Sequence, residues 1–329
     1  MPPHPPHPQL DLFGDAVPGP APIGREFVAL AAALGPGVRL GTSSWSFPGW
    51  AGLVYDPAGN VDESALGRHG LAAYAAHPLL RTVGVDRTFY APLSASDFAH
   101  FAAQVPDDFR FVVKAWQDLV RPCTVEETAW HRGLARNPHF LAGAVAEAAV
   151  VHPASEGLRE KLGAVLFQFP PLRRAESGSP AAFAERLAAF LAALPRGPAY
   201  AVELRSRELL TRALARVLEE SGASPCFVVH PAMPPLARQV EICDPARFPL
   251  LLVRWMLHTG QTYEGARLRY QPFDRLVDED PVVRRAVVEL VDEAARAGRP
   301  AYVIANNKAE GSAPLTLVAL ARAIASRGG

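Results

Sequence analysis

The chain has 329 residues, 49% of them apolar and 20% charged, and its 33 basic side chains balance its 33 acidic ones to a formal net charge of zero. This is an ordinary globular composition, and it excludes a uniformly basic nucleic-acid coat while leaving room for a local basic cleft. No run approaches the roughly 18 apolar residues of a membrane span, the first residues lack the charged and apolar regions of a secretory signal, and Cys123, Cys226 and Cys243 are scattered without metal spacing, so the expectation is a cytoplasmic protein with free thiols and no membrane partner.

Residues 1–24 are rich in proline and without periodicity, which predicts a disordered or extended tail. Inside it stands QLDLF, with Gln9, Leu10, Leu12 and Phe13 as its large side chains. The pentapeptide matches the consensus of the peptides that bind the bacterial sliding clamp, in which a glutamine, a leucine and a Leu-Phe pair dock into a groove. An unfolded tail presents such anchors without disturbing the domain behind it. The alternative is that the same apolar residues cover a patch of the domain.

From residue 25 onward the chain alternates. Short β-branched and aromatic runs at 38–45, 82–90, 110–116, 163–169, 199–205, 224–230, 250–256 and 301–307 read as strands. Between them, 63–77, 94–105, 180–194, 282–298 and 314–326 have helical spacing, with Ser94 and Ser179 placed as N-caps and Gly298 as a C-terminal stop. The segment 231–249 is proline-rich and shows no helix. Eight near-continuous apolar strands alternating with helices predict a parallel sheet buried on both faces, and this number favours an α/β fold of the (β/α)8 TIM-barrel type, one domain over 25–329. Neither GxGxxG nor GxxxxGK[ST] follows the first strand, so the sequence names no cofactor.

In such a barrel the chemistry sits at the C-terminal ends of the strands. Those ends read Ser43, Ser44 and Trp45; Asp86 and Arg87; Lys114; Gln168; Glu203 and Arg205; His230; Arg254 with His258 beyond it; and Asn306, Asn307 and Lys308. Polar groups repeated at the ends of apolar strands must find partners in one another, water or a ligand, because burial unpaired costs several kcal/mol each. Asp86 and Glu203 are the candidate acid/base pair, with Lys114 and His258 as further catalytic candidates. Lys114, one of only three lysines in the chain, joins Arg205 and Arg254 as an anion-binding set suited to phosphate. Trp45 and Tyr90 offer flat surfaces for a base or sugar, and Gln168, Asn306 and Asn307 offer amides. Asp86–Arg87 and Glu203–Arg205 also fit plain structural ion pairs, and His230, which precedes a proline, fits a loop anchor. No HxH or HExxH spacing marks a metal site.

The opening GTSSWSFPGWAGLVYDP, then TFYAP behind Asp86, FRFVVKAW, LFQFPP, AVELR and NNKAEGSAP, resembles in order the motifs of the YecE-like family, known as domain of unknown function 72, over about residues 38–325. The resemblance implies a TIM barrel and brings no established activity. It aligns Lys114, Gln168, Glu203, Arg205, Asn306 and Asn307 with the family pattern. Asp86 stands where glutamate is usual, Arg87 where asparagine is usual, and Lys308 where aspartate is usual. The expected function is a hydrolase or lyase on a phosphate-bearing or nucleic-acid-like substrate, recruited to DNA through the sliding clamp. Two alternatives stay open: a sugar-type small-molecule enzyme with no DNA link, and a non-catalytic clamp adaptor.

Overall fold

The computed structural model describes residues 17–59, 62–127 and 132–327. The QLDLF pentapeptide lies outside the described residues. Among the described residues ten strands form: β1 Val38–Thr42, β2 Leu80–Val85, β3 Arg110–Lys114, β4 Cys123–Glu127, β5 Arg132–Arg136, β6 Leu162–Gln168, β7 Tyr200–Glu203, β8 Ser224–Val229, β9 Leu251–Trp255 and β10 Ala301–Ala305. Eight of them close a barrel in the order β1-β10-β9-β8-β7-β6-β3-β2, with every neighbouring pair parallel. These are the eight strands expected from the apolar runs. The antiparallel hairpin β4–β5 is an insertion between the third and fourth barrel strands that no alternation pattern announced.

The apolar filling divides as a two-residue strand period requires. Val112, Ala164, Leu166, Ala201, Cys226, Leu252 and Ile304 pack together as one interior cluster. Their neighbours one residue away, among them Phe111, Val113, Val165, Phe167, Val202, Phe227, Val253 and Val303, face the helices and join the larger outer core.

Helix ends follow the expected chemistry. Ser94 Oγ accepts from the Asp97 N–H at 3.2 Å while the Ser94 N–H donates to Asp97 Oδ2 at 2.9 Å, a reciprocal capping box that starts the helix Ala95–Ala103. Ser179 accepts from Ala182 at the start of Pro180–Ala192. Gly298 takes φ +65° just past Pro281–Arg296, a left-handed turn that stops the helix.

One segment departs from the expectation. The proline-rich stretch 231–249 holds the helix Leu236–Ile242. Its anchor is tertiary: the buried Gln239 amide accepts from the Val228 N–H at 3.0 Å and donates to the carbonyls of Val228 and Pro234 at 2.7 and 2.8 Å. A seven-residue helix fixed by one amide leaves little periodicity to read. At the other end of the chain, Pro20 bridges Tyr55, and the Ala21 N–H donates to Val54 O at 2.9 Å, so the last residues of the proline-rich stretch run extended along the barrel. No helix among the described residues is long and apolar enough to cross a membrane.

Candidate functional site

The two-residue period that fills the barrel also builds the site. Lys114, Gln168, Glu203, Arg254 and Asn306 each stand two residues beyond an interior apolar side chain, namely Val112, Leu166, Ala201, Leu252 and Ile304. They therefore form the uppermost layer of the barrel interior, at the C-terminal ends of their strands. Register links them further, since Gln168 pairs with Glu203 across β6 and β7.

Arg254 is the centre. Its guanidinium, 1% exposed, donates from Nη1 to Glu203 Oε2 at 2.7 Å and to Gln168 Oε1 at 3.2 Å. From Nη2 it donates to Asp86 Oδ2 at 2.9 Å and Oδ1 at 3.1 Å. Glu203 is fully buried, and its other oxygen accepts from Arg205 Nε at 2.6 Å, with a second short contact from Arg205 Nη2. The result is a linear array, Asp86–Arg254–Glu203–Arg205, in which each inner member has a partner on both sides. Burial acts to raise the Glu203 pKa, but Arg205 and Arg254 together overcome it and bring the carboxyl down to about 2. Burial likewise opposes the Arg254 charge, and Asp86 and Glu203 hold it firmly protonated.

The expected acid/base pair is thus rearranged. Asp86 and Glu203 do not face one another across a substrate space, because Arg254 stands between them. Asp86 is 30% exposed and reaches the cavity, whereas Glu203 is sealed below it. Beneath Glu203, Cys226 Sγ lies 3.9 Å from Oε2, and burial, with the Glu203 charge adding to it, keeps the thiol protonated.

Lys114 completes the layer. Its ammonium sits 3.8 Å from the Phe89 ring centroid, and among the described residues no carboxylate comes within ion-pair distance. Burial pushes its pKa below the ordinary lysine value; Asp86 opposes the shift and Arg254 adds to it. Arg121, from the loop after β3, lies 5.3 Å over the same ring. Of these six charged groups four are cations and two are carboxylates, so the mouth carries two positive charges in excess. Glu203 lies below, and the other five line a cavity of about 410 Å³ whose rim includes the exposed Tyr90 and Tyr263. A second lobe of about 260 Å³ adjoins it, sharing Asp86, Tyr90 and Lys114 and lined by Ser43, Ser44 and Ser46.

The remaining expected site residues fall in several places. Asn306 lines the larger cavity and donates to Ser43 Oγ at 2.8 Å. Asn307 does not reach the cavity: it is 1% exposed, its Oδ1 accepting from Trp50 Nε1 at 3.1 Å and from the Ala313 N–H at 2.8 Å, so it ties the last helix to the barrel. Trp45, 2% exposed, is a wall of the smaller lobe, lying edge-on to Phe101 and covered by the Arg87 guanidinium at 4.7 Å. Arg87 forms no ion pair with Asp86; it turns away to Trp45 and to the Gly67 carbonyl at 3.2 Å. His258 is not brought to the cluster either. Its N–H donates to the Lys308 carbonyl at 2.9 Å and its Nδ1 accepts from the Gly260 N–H at 3.2 Å, so it shapes the loop after β9. His230 anchors its loop as expected, Nδ1 accepting from the Ala232 N–H at 3.1 Å; burial, reinforced by Arg205, lowers its pKa to about 4 and leaves it neutral at pH 7. The sequence did not point to Arg121, which reaches the rim from a loop with no period to betray it, to Tyr263, which opens the helix Tyr263–Tyr270, or to Ser46, which was legible only as part of the TSSWS turn.

Comparison with known proteins agrees with this architecture. The family model described as a protein of unknown function, DUF72, matches residues 39–328. The fold is similar to that of a DUF72 family protein from Enterococcus faecalis V583 solved at 3.10 Å, with 18% identity, a TM-score of 0.59, and coverage of 87% of this chain and 95% of that one. It is similar also to a DUF72 family protein from Thermotoga maritima MSB8, with 20% identity, a TM-score of 0.58, and coverage of 87% and 98%. No curated protein matches. With the family match running from the first barrel strand to the end of the last helix, and the closed eight-stranded barrel beneath it, this chain belongs to the DUF72 family.

Proposed function

We propose that the protein is a hydrolase or lyase acting on a phosphate-bearing substrate at the C-terminal mouth of the barrel. The observation that carries the reading is the cationic surplus around a cavity into which a single part-exposed carboxylate, Asp86, is held by a buried arginine. Phosphate is the anion best matched to guanidinium forks and an ammonium converging on one space. In this reading Asp86 is the general base, Lys114 with Arg121 and Arg205 receives the anion, and Glu203 positions both Arg254 and Arg205 without touching substrate. Gln168 and Asn306 orient the ligand, and Tyr90 supplies a flat surface at the rim.

The test is direct. Inorganic phosphate and a panel of phosphomonoesters and phosphodiesters are titrated against the protein, and turnover is then sought among those that bind. Phosphate-dependent thermal stabilisation that Lys114→Met abolishes supports the reading; no stabilisation by any phosphorylated compound defeats it.

A second reading concerns where the protein acts, and it rests on the sequence match of Gln9, Leu10, Leu12 and Phe13 to the clamp-binding consensus. We propose that this peptide delivers the barrel to the bacterial sliding clamp, which makes nucleic acid the natural source of the phosphate. A peptide spanning 6–15 is expected to retain the clamp on a column, and the same peptide with Leu12→Ala and Phe13→Ala is expected to lose it. Equal retention by both leaves a sugar-type enzyme with no DNA link as the better account of the site.

A further inference from the structure

The cavity at the barrel mouth has two lobes of different chemistry, and the reacting groups stand where they meet. The larger lobe is cationic, with Arg121 and Arg205 on its wall. The smaller is a hydroxyl pocket. Ser43, Ser44 and Ser46 line it, with Ser44 and Ser46 hydroxyls 3.1 Å apart and Ser43 oriented by the Asn306 amide at 2.8 Å. Asp86, Lys114 and Tyr90 belong to both lobes. Gly84 keeps the floor of the smaller lobe open: a Cβ there would stand 3.3 Å from Ser43 Cα and 3.6 Å from Asp86 Oδ1. Arg87 also borders this lobe, but its guanidinium is laid over Trp45 and bonded to Gly67 O, so the groups left to meet a ligand are the hydroxyls, with Asp86 and Lys114 at the junction of the lobes.

Serine hydroxyls both donate and accept, and a cluster of them beside one carboxylate and one ammonium that offset each other is matched by a neutral polyhydroxy group rather than by a second anion or an apolar group. We propose that the substrate is a sugar phosphate, or the sugar-phosphate unit of a chain, with its phosphate among Lys114, Arg121 and Arg205 and its hydroxyls in the serine lobe. The inference rests on the phosphate reading above and adds the second half of the ligand. It places a sugar carbon or hydroxyl beside Asp86 and Lys114, the two groups common to both lobes.

Calorimetric titration of ribose 5-phosphate, inorganic phosphate and free ribose tests it. Ribose 5-phosphate is expected to bind at least about tenfold tighter than phosphate, the value of one added well-made polar contact to a ligand. Ser44→Val, with Ser46→Ala as a milder second variant should the first disturb folding, is expected to bring the ratio of the two affinities to about one. Phosphate that binds as tightly as ribose 5-phosphate overturns the sugar assignment and leaves the phosphate reading standing. Failure of both to bind overturns both. Displacement of ribose 5-phosphate by a short single-stranded oligonucleotide assigns the same chemistry to a chain, and lack of displacement assigns it to the free compound.

Discussion

Arg254 Nη2 donates to both oxygens of Asp86, at 2.9 and 3.1 Å, although 168 residues separate the two along the chain. The same guanidinium holds Glu203 at 2.7 Å, so one buried cation fixes the exposed carboxylate of the site and is itself fixed from below. Each of the following expectations tests part of that arrangement.

Arg254→Met removes the partner that Asp86 and Glu203 share and leaves Glu203, fully buried, with Arg205 as its remaining ion-pair partner. Breaking a buried pair from one side costs about 3–5 kcal/mol. Urea denaturation at pH 7 is expected to show a loss of that order, and a loss under about 1 kcal/mol would mean that the array contributes nothing to folding.

Glu203 gives the fold an acid limit. Its carboxyl titrates at about 2 in the folded chain, against an ordinary value of 4.5. As pH falls below the ordinary value, the unfolded chain takes up a proton that the folded chain refuses. Stability supplied by the carboxylate is therefore complete above about pH 4.5, declines below it, and is lost once pH passes the folded value near 2. Denaturation midpoints measured from pH 7 to 2 are expected to follow that course, and Glu203→Gln is expected to flatten the decline. An equal slope in the variant assigns the acid sensitivity to other groups.

Lys114 separates binding from stability. Its ammonium is disfavoured by burial, so Lys114→Met, which keeps the stem and removes the charge, is expected to change stability by no more than about 1 kcal/mol. Phosphate affinity is expected to fall about tenfold or more, the worth of a charge-assisted hydrogen bond. Isothermal titration with phosphate reads the second effect and thermal melting the first; an unfolded variant would place Lys114 in the scaffold instead.

Asn307 tests the opposite case. It was expected to touch substrate and is instead a buried link, accepting from Trp50 and Ala313. Asn307→Ala leaves those two donors unpaired and is expected to cost about 2–4 kcal/mol at one to two per donor. In a variant assayed while still folded, phosphate affinity is expected to hold within about twofold, since the residue lies outside the cavity.

The barrel was legible because it is periodic. Eight apolar runs alternating with helical spacing leave few other folds, and polar residues closing those runs point to a rim. Period explains why Lys114, Gln168, Glu203 and Arg254 share one layer: each continues the inward face of its own strand. What the sequence does not carry is distance across the barrel. Nothing in Asp86, Glu203 or Arg254 says that the arginine would come between the carboxylates, because that depends on the order in which β2, β7 and β9 close. His258 and Asn307 lie only a few residues past strand ends, yet a turn of backbone is enough to carry them away. Arg121 came from a loop, where no rule of spacing applies, and Tyr263 from the first position of the short helix Tyr263–Tyr270.

The charged array spans strands β2, β7 and β9, and its Asp86 end meets Arg254 only when the sheet has joined end to end. A chain paused with the seam between β1 and β10 open keeps β7, β8 and β9 together and so keeps Arg254 on Glu203, but Asp86 stands on the far side of the gap without its arginine. Ring closure and completion of the array are thus one and the same event. Partly folded forms, such as a nascent chain still on the ribosome, lack the completed array, and a ligand that binds the finished mouth acts as a clasp on the barrel as a whole.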